Sequence, residues 1–414
     1  MCKVRDGYKM TEIGEIPEEW QAVKLGHICT VKSSKRVYQS DYIESGIPFY
    51  RSKEIIELSK GVEPSIELYI SEEMYSEYER KFGVPQKNDL FISSVGTIGK
   101  TWVSDGRKFY YKDGNITQVM ANDKINTYYL SYLFETTVLK KQYMNQSSGS
   151  AQIALTIEKL NKLMIPLPPL FEQQKIADIL STVDQQIKQT DALIEKTKEL
   201  KKGLMQRLLT KGIGHTEFKD TEIGRIPKEW EVKELNEVAE IILGQSPDSS
   251  TYNEVGDGIP FFQGKTEFGY LYPVVKKWCS RPKKIAEIDD ILISVRAPVG
   301  DVNINNVKAC IGRGLAAIRK TEKLNERYLF YFLKKNSAVF EKLSQGSTFT
   351  AINGDDLKCL KIPVPTIQEQ ERIAMILTKV DDEIIKLDSI VIKMQELKKA
   401  LMQKLLTGKV RVKL

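Results

Sequence analysis

A ten-residue segment, TEIGEIPEEW at 11–20, returns almost unchanged as TEIGRIPKEW at 221–230. One folding unit has therefore been duplicated, and each copy can be checked against the other. The copies continue in the same order. GIPFY at 46–50 is answered by GIPFF at 258–262, and DLFIS at 89–93 by DILIS at 290–294. EQQKIA at 172–177 pairs with EQERIA at 369–374, and ELKKGLMQRLLT at 199–210 with ELKKALMQKLLT at 396–407. The offset between copies is 210 at the start of the repeat and 197 at its end, so insertions and deletions separate their interiors. Two matching frames enclose two divergent interiors.

At 414 residues the chain has room for two or three domains with cores of their own, and the duplication sets two large units. A content of 41% hydrophobic and 28% charged residues is ordinary for a folded globular protein and gives no sign of disorder. The opening MCKVRDGYK has no apolar stretch, and no run approaches the ~18 apolar residues of a membrane span. A cytoplasmic chain with no membrane segment is expected. Five cysteines, at 2, 29, 279, 310 and 359, lack CxxC spacing and are odd in number, which predicts reduced thiols. His27 and His215 have no second ligand at metal spacing, so neither a metal nor any other cofactor is expected. The net charge of +7 suits an anionic partner without defining one.

The segments that close each half carry the clearest periodicity. Ile176, Leu180, Val183, Ile187, Ile194, Leu204 and Leu208 fall on alternating steps of three and four, as do Ile373, Leu377, Val380, Ile384, Leu387, Val391, Met394, Leu401 and Leu405. That is a coiled-coil seam, interrupted at matching places by Lys201 and Lys398. Pro363 and Pro365 precede the second helix, where Thr366 and Glu369 form a capping-box pattern, and Pro166–Pro169 precede the first. Gly212 and Gly408 mark the ends, behind basic last turns. The stretch 171–209 makes a rod of roughly 58 Å at 1.5 Å per residue. An apolar stripe of that length needs a cover, and its own copy is the nearest candidate. Because the chain must run out, fold a second domain and return, an antiparallel pair is predicted, in which the two seam lysines lie toward opposite ends. The competing arrangement packs each helix only on its own domain.

The interiors read as α/β. LFISSV at 90–95, ILISV at 291–295 and KIPVP at 361–365 predict strands, and YYLSYLF at 128–134 and YLFYFL at 328–333 sit in helical patterns. Asp89 and Asp290 recur at strand starts, as turn or cap residues do.

Tests for catalysis fail. SSVGTIGKT at 93–101 ends like a phosphate-binding loop, but the first glycine of that motif would fall at Ser94, and the second copy has Asp301 in place of Lys100. No GxGxxG follows a strand, no NPPY-type methyltransferase motif is present, and no acidic cluster with a lysine recurs in both copies. What recurs instead are polar small-residue loops, SSGSAQIALT at 147–156 and QGSTFTAIN at 345–353. Their amides and hydroxyls suit phosphates or surface turns equally, with Gln152, Ser347 and Thr348 as candidate DNA contacts. Basic candidates in the divergent interiors are Arg51, Lys53, Lys100, Lys265, Arg296 and Arg313. Arg296 and Arg313 are the better fits to base edges, since a guanidinium offers guanine a bidentate fork.

The duplicated IG-x-IP-x-x-W openings, the IP-x-P helix starts, EQ-x-x-IA and LMQ-x-LLT together resemble the specificity subunits of type I restriction-modification enzymes. The resemblance covers essentially the whole chain. It implies an α/β protein with an internal pseudo-two-fold repeat, in which two target recognition domains are separated by two long antiparallel coiled-coil helices. The divisions would be 1–165 and 213–362 for the recognition domains, and 166–212 and 363–414 for the helices. It further implies a non-catalytic subunit that binds double-stranded DNA, two methyltransferase subunits and, in the full complex, restriction/translocase subunits. Each domain would read half of a bipartite, asymmetric target, and the helices would set the spacer. A heptad inserted into or deleted from either helix is then expected to change the spacer without altering the half-sequences. The alternatives are a stand-alone DNA-binding regulator, which needs no repeated helical frame, and a self-contained restriction-methylation enzyme, which needs the catalytic motifs that are missing.

Overall fold

The structure is a computed structural model that describes residues 4–145, 154–337, 340 and 351–412. It divides into two compact units, Met1–Gln189 with Ile390–Leu414, and Thr190–Ser389. Two unbroken helices, Leu170–Lys211 and Ile367–Leu405, each contribute one part to each unit.

In the first unit, a four-stranded antiparallel sheet has the order Val31–Lys32, Ile116–Val119, Leu90–Ser93, Thr101–Val103. A second sheet sets Ile47–Tyr50 between Tyr69–Ile70 and Tyr110–Tyr111, the last pair running parallel. The Thr190–Ser389 unit repeats the plan. Its four-stranded sheet is Ala239–Leu243, Leu315–Lys320, Ile291–Ser294, Val302–Ile304, and a five-stranded sheet pairs Ile259–Phe262 in parallel with Ala309–Ile311. The strands Leu90–Ser93 and Ile291–Ser294 are buried throughout, which explains why both read as apolar runs rather than alternating ones. The aromatic-rich stretches lie in the helices Thr127–Glu135 and Glu326–Lys335. The recurring aspartates do more than turn the chain. Asp89 accepts from the Gln86 and Ala121 amides and the Gln118 side chain, and Asp290 accepts from the Glu287 amide and from Arg319 on the central strand.

The repeated motifs meet in space. The Trp20 indole N–H donates to Glu172 (2.9 Å) and the Trp230 indole to Glu369 (3.0 Å), joining each opening motif to the start of a long helix. The glycine ending the other helix closes on the same tryptophan: a Cβ on Gly408 would lie 3.3 Å from Trp20, and one on Gly212 would lie 2.8 Å from Trp230. Both glycines have positive φ, 69° and 64°, so the helix exits there without strain. The neighbouring glutamines match as well. Gln173 accepts from the Asn126 amide and donates to Pro168 O, as Gln370 does with Asn325 and Pro365. The capping box expected at the second helix forms only in part. The Glu369 amide donates to Thr366 Oγ1 (3.4 Å), but the Glu369 carboxylate is turned to Trp230, His215 and the Ile213 amide.

Within each unit the two helices run antiparallel. In the first, Glu172 near the start of one helix meets Arg411 just past the end of the other, and Asp184 meets Lys398. In the Thr190–Ser389 unit, Lys201 meets Asp381 and Glu369 accepts from the Ile213 amide. Every predicted seam residue is buried or half-buried. Toward the helix ends the seam merges with the domain cores: Ile176, Leu180 and Leu405 pack with Leu130 and Ile165, and Leu208, Ile373 and Leu377 with Leu329 and Ile362. The two seam lysines are partnered. Lys201 is buried against Asp381 and over the Tyr331 ring, and Lys398 lies against Asp184 and Glu135 and over the Tyr132 ring.

Candidate nucleic-acid interface

In the Thr190–Ser389 unit four chain segments converge at one rim, where strands end. The Gly312 amide donates to Phe262 O (2.8 Å), the Gly244 amide to Leu315 O (2.9 Å), the Gln245 amide to Ile311 O (3.1 Å) and the Val295 amide to Gly314 O (2.9 Å). Ser246 Oγ accepts from the Arg313 amide (3.2 Å) and from the Gln263 side chain (3.3 Å). This network brings Arg296 and Arg313 together with Gln245, Ser246 and Gln263. Both arginine side chains are exposed and form no ion pair among the described residues.

The first unit builds a related rim with different chemistry. After Val31–Lys32 the chain runs through Ser33, Ser34, Lys35 and Arg36. Ser34 Oγ donates to Tyr111 O (2.6 Å), and Ser33 Oγ accepts from the Gly114 amide (3.3 Å). Ser52 Oγ and the Ser94 amide both donate to Asn115 O, at 3.2 and 2.8 Å. Arg36, Tyr38, Lys112 and Asn115 border a cleft of about 430 Å³ here, and Arg36 is paired with Asp113 (2.8 Å).

The other predicted contacts are placed unequally. Arg51 is held by the buried Glu54 (2.7 Å) and by Glu67 (2.9 Å), and Lys53 is bound to Glu67 (2.7 Å). Both cations already have carboxylates, so a phosphate would have to displace them. Lys265 is paired with Asp301. Lys100 is exposed and forms no ion pair among the described residues. Gln152, Ser347 and Thr348 lie outside the described residues. The loop before Lys100 is closed on itself: Ser93 Oγ donates to Thr97 O (2.6 Å) and accepts from the Lys100 amide (2.9 Å). Ser294 does the same with Pro298 O and the Asp301 amide. A serine-tied turn shared by both copies explains the likeness to a phosphate loop. No cluster of His, Cys, Asp and Glu able to hold a metal occurs among the described residues, and Cys29, Cys279, Cys310 and Cys359 are free thiols.

Residues 17–199 and 227–394 match the family described as type I restriction modification DNA specificity domain, once per copy. A Methanocaldococcus jannaschii chain, provisionally named the specificity subunit of the type I restriction enzyme MjaX, is 40% identical over 99% of this chain and 97% of its own length. The chain belongs to the type I restriction-modification specificity family. Among solved structures, one from work on assembly and conformational transition of the type I R-M system is 27% identical. It covers 95% of this chain and 99% of its own, with a TM-score of 0.62. The HsdS subunit of Thermoanaerobacter tengcongensis is likewise 27% identical over 95% of this chain and 98% of its own, with a TM-score of 0.50.

Several rim residues of this specificity-family chain escape a search for basic positions near known motifs: Ser33 to Arg36, Lys112, Asn115, Gln245, Ser246 and Gln263. A signal existed, because SSKR and GQS each directly follow the first strand of a four-stranded sheet in their own copy. A cleft of about 390 Å³ beside the second rim is bordered by Lys265, Tyr270, Asp301, Asn303 and Lys334. Burial, reinforced by the Lys201 charge, pushes the Lys334 ammonium down to about 8. With the folded pKa below the free value, charge on Lys334 opposes folding below about pH 8, and this penalty fades as pH rises toward 10.5. Lys334→Met is therefore expected to be more stable than the native chain at pH 7, with the gap narrowing by pH 9.5. Urea midpoints at the two pH values check this, and a gap independent of pH would contradict it.

No helix among the described residues is long and apolar enough to cross a membrane.

Proposed function

We propose that this chain is the DNA-recognition subunit of a cytoplasmic type I restriction-modification complex, with each unit reading one half of a bipartite, asymmetric target. The observation that carries the reading is the contrast between frame and rim. The Trp–Glu, Asn–Gln and Lys–Asp contacts are the same in both units, whereas the rims carry a hydroxyl-rich basic run in one and a Gly-Arg-Gly turn in the other. Like frames suit like partners, and unlike rims suit unlike base sequences.

The frame supports docking of two methyltransferase subunits. Leu200 and Leu397 occupy the same position of the repeated ELKK segment, and each is more than half exposed, at 57% and 51%. A large apolar side chain left in water at the same place twice suits a partner present in two copies. Restriction/translocase subunits would join in the full complex, and the catalytic chemistry would belong to the partners.

The test is co-expression with the type I methyltransferase subunit of the same organism, followed by genome-wide methylation mapping. The expected result is a complex with two methyltransferase subunits that marks one bipartite target. DNA binding without any stable association would favour a free-standing regulator, and methyl transfer by the purified chain alone would favour a self-contained enzyme.

A further inference from the structure

We propose that Arg313 is a specificity-determining residue that reads a guanine in the half-target of the Thr190–Ser389 unit, and that the turn Gly312–Arg313–Gly314 is built to hold it in place. The inference rests on the DNA-recognition reading above and names the residue and base through which one unit performs it.

The turn joins strand Ala309–Ile311 to Leu315–Lys320 and is fixed from every side. Its three amides or carbonyls bond to three other segments: Gly312 to Phe262, Arg313 to Ser246, and Gly314 to Val295. Close approach is possible only because side chains are missing. A Cβ on Gly314 would lie 2.5 Å from Gln263 O, one on Gly312 would lie 3.1 Å from Gln263 Cα, and one on Gly244 would run into Gly312 O. Backbone packed against backbone cannot yield as a side-chain tip would, so the Arg313 Cα sits on a rigid base. Arg313 is the only side chain on this turn, and it is exposed.

Three other arginines of this unit are already engaged, and Arg296, exposed like Arg313, does not sit on a turn held between two glycines. Arg319 is bound to Asp290 (2.9 Å), Arg327 donates to the Tyr272 hydroxyl (2.6 Å), and Arg225 lies over the Phe218 ring (5.7 Å). The Arg313 guanidinium has no acidic partner among the described residues, so its five donors are open. A cation on a fixed backbone loses less freedom when it binds, and a guanidinium matches O6 and N7 of guanine in the major groove with two parallel hydrogen bonds. Lysine offers the same charge without that fork. The first unit has Lys112, Asp113, Gly114 and Asn115 at the corresponding turn, with the nearby Arg36 bound to Asp113. The same place in the two units therefore carries different recognition chemistry.

The test compares Arg313→Ala and Arg313→Lys with the native chain, each in complex with its methyltransferase subunit. Genome methylation mapping is combined with binding to a target oligonucleotide at several salt concentrations. Both variants are expected to lose discrimination roughly 10- to 100-fold at one guanine of one half-target, leaving the other half unchanged. Arg313→Lys is expected to keep the native salt dependence. Restoration of full specificity by lysine, with alanine weakening all sites uniformly, would assign Arg313 to a phosphate and overturn the proposal. An unchanged target for both variants overturns it as well. If the native complex itself marks no bipartite target, the DNA-recognition reading fails; if it does and the variants match it, only the role of Arg313 fails. The exposed position makes both variants foldable, and their thermal unfolding checks this.

Discussion

Asp381→Ala is expected to destabilise the Thr190–Ser389 unit by about 3–5 kcal/mol, whereas the matching Asp184→Ala in the first unit is expected to cost roughly 1 kcal/mol or less. The two aspartates stand at the same place in the repeat and face equivalent seam lysines, Lys201 and Lys398, but their surroundings differ. The Asp381 side chain is wholly buried and that of Lys201 is only 9% exposed. Asp381 also accepts from the Tyr270 and Tyr331 hydroxyls, at 2.6 and 2.7 Å. Removing the carboxylate leaves a desolvated ammonium and the Tyr270 hydroxyl without a partner, and the Tyr331 hydroxyl with only Thr378 Oγ1 at 3.3 Å. Asp184 also accepts from the Tyr132 hydroxyl (2.8 Å), but it is 40% exposed, so water can replace it there and at Lys398, which keeps Glu135 at 3.3 Å after the substitution. Urea unfolding of both variants, followed by a probe in each unit, measures the difference. Equal losses would show that burial does not set the strength of these pairs. Lys201→Met with Asp381→Leu should recover most of the stability lost in Asp381→Ala, because the larger part of that loss is the unpaired charge rather than the missing attraction.

These pairs mark where the sequence could be read and where it could not. Lys201 and Lys398 stand out at once, as charges that interrupt an apolar seam. Their partners do not, although a Val-Asp pair recurs at 183–184 and 380–381, because an aspartate on a long helix looks like any solvated charge until the facing helix is placed. Glu369 shows the same limit. Local spacing makes it half of a capping box, but its carboxylate is taken by Trp230, more than a hundred positions earlier. Long-period features such as the helices and the buried strands are written in apolar spacing, which survives without knowledge of contacts, and the antiparallel sense follows from the chain having to run out and return. The rims are not, since they form where strands distant in sequence end side by side. Arg51 and Arg313 are alike as letters. What separates them is Glu54 and Glu67 around one, and Gly312, Gly314 and Ser246 around the other.

Inserting one heptad into each long helix, between Asp184 and Lys201 and between Asp381 and Lys398, is expected to lengthen the non-specific spacer of the target by about 3 base pairs while leaving both half-sequences unchanged. Seven residues add roughly 10.5 Å of helix, and duplex DNA rises about 3.4 Å per base pair. A whole heptad keeps the apolar seam on one face with a drift of only about 20°, whereas two or five extra residues would turn seam positions toward water. Both helices must change together. Asp184 with Lys398 and Lys201 with Asp381 fix the register of an antiparallel pair, so an insertion in one helix alone, which the sequence by itself suggests would suffice, would leave helical segments of unequal length between the two locks. The native target should be lost almost completely, because three base pairs rotate one half-site by about 100° around a duplex of about 10.5 base pairs per turn. Genome methylation mapping of the variant, purified with two methyltransferase subunits bound, provides the measurement. An unchanged spacer would mean that the helices do not act as the ruler. Altered half-sequences would mean that recognition depends on the frame as well as on the rims.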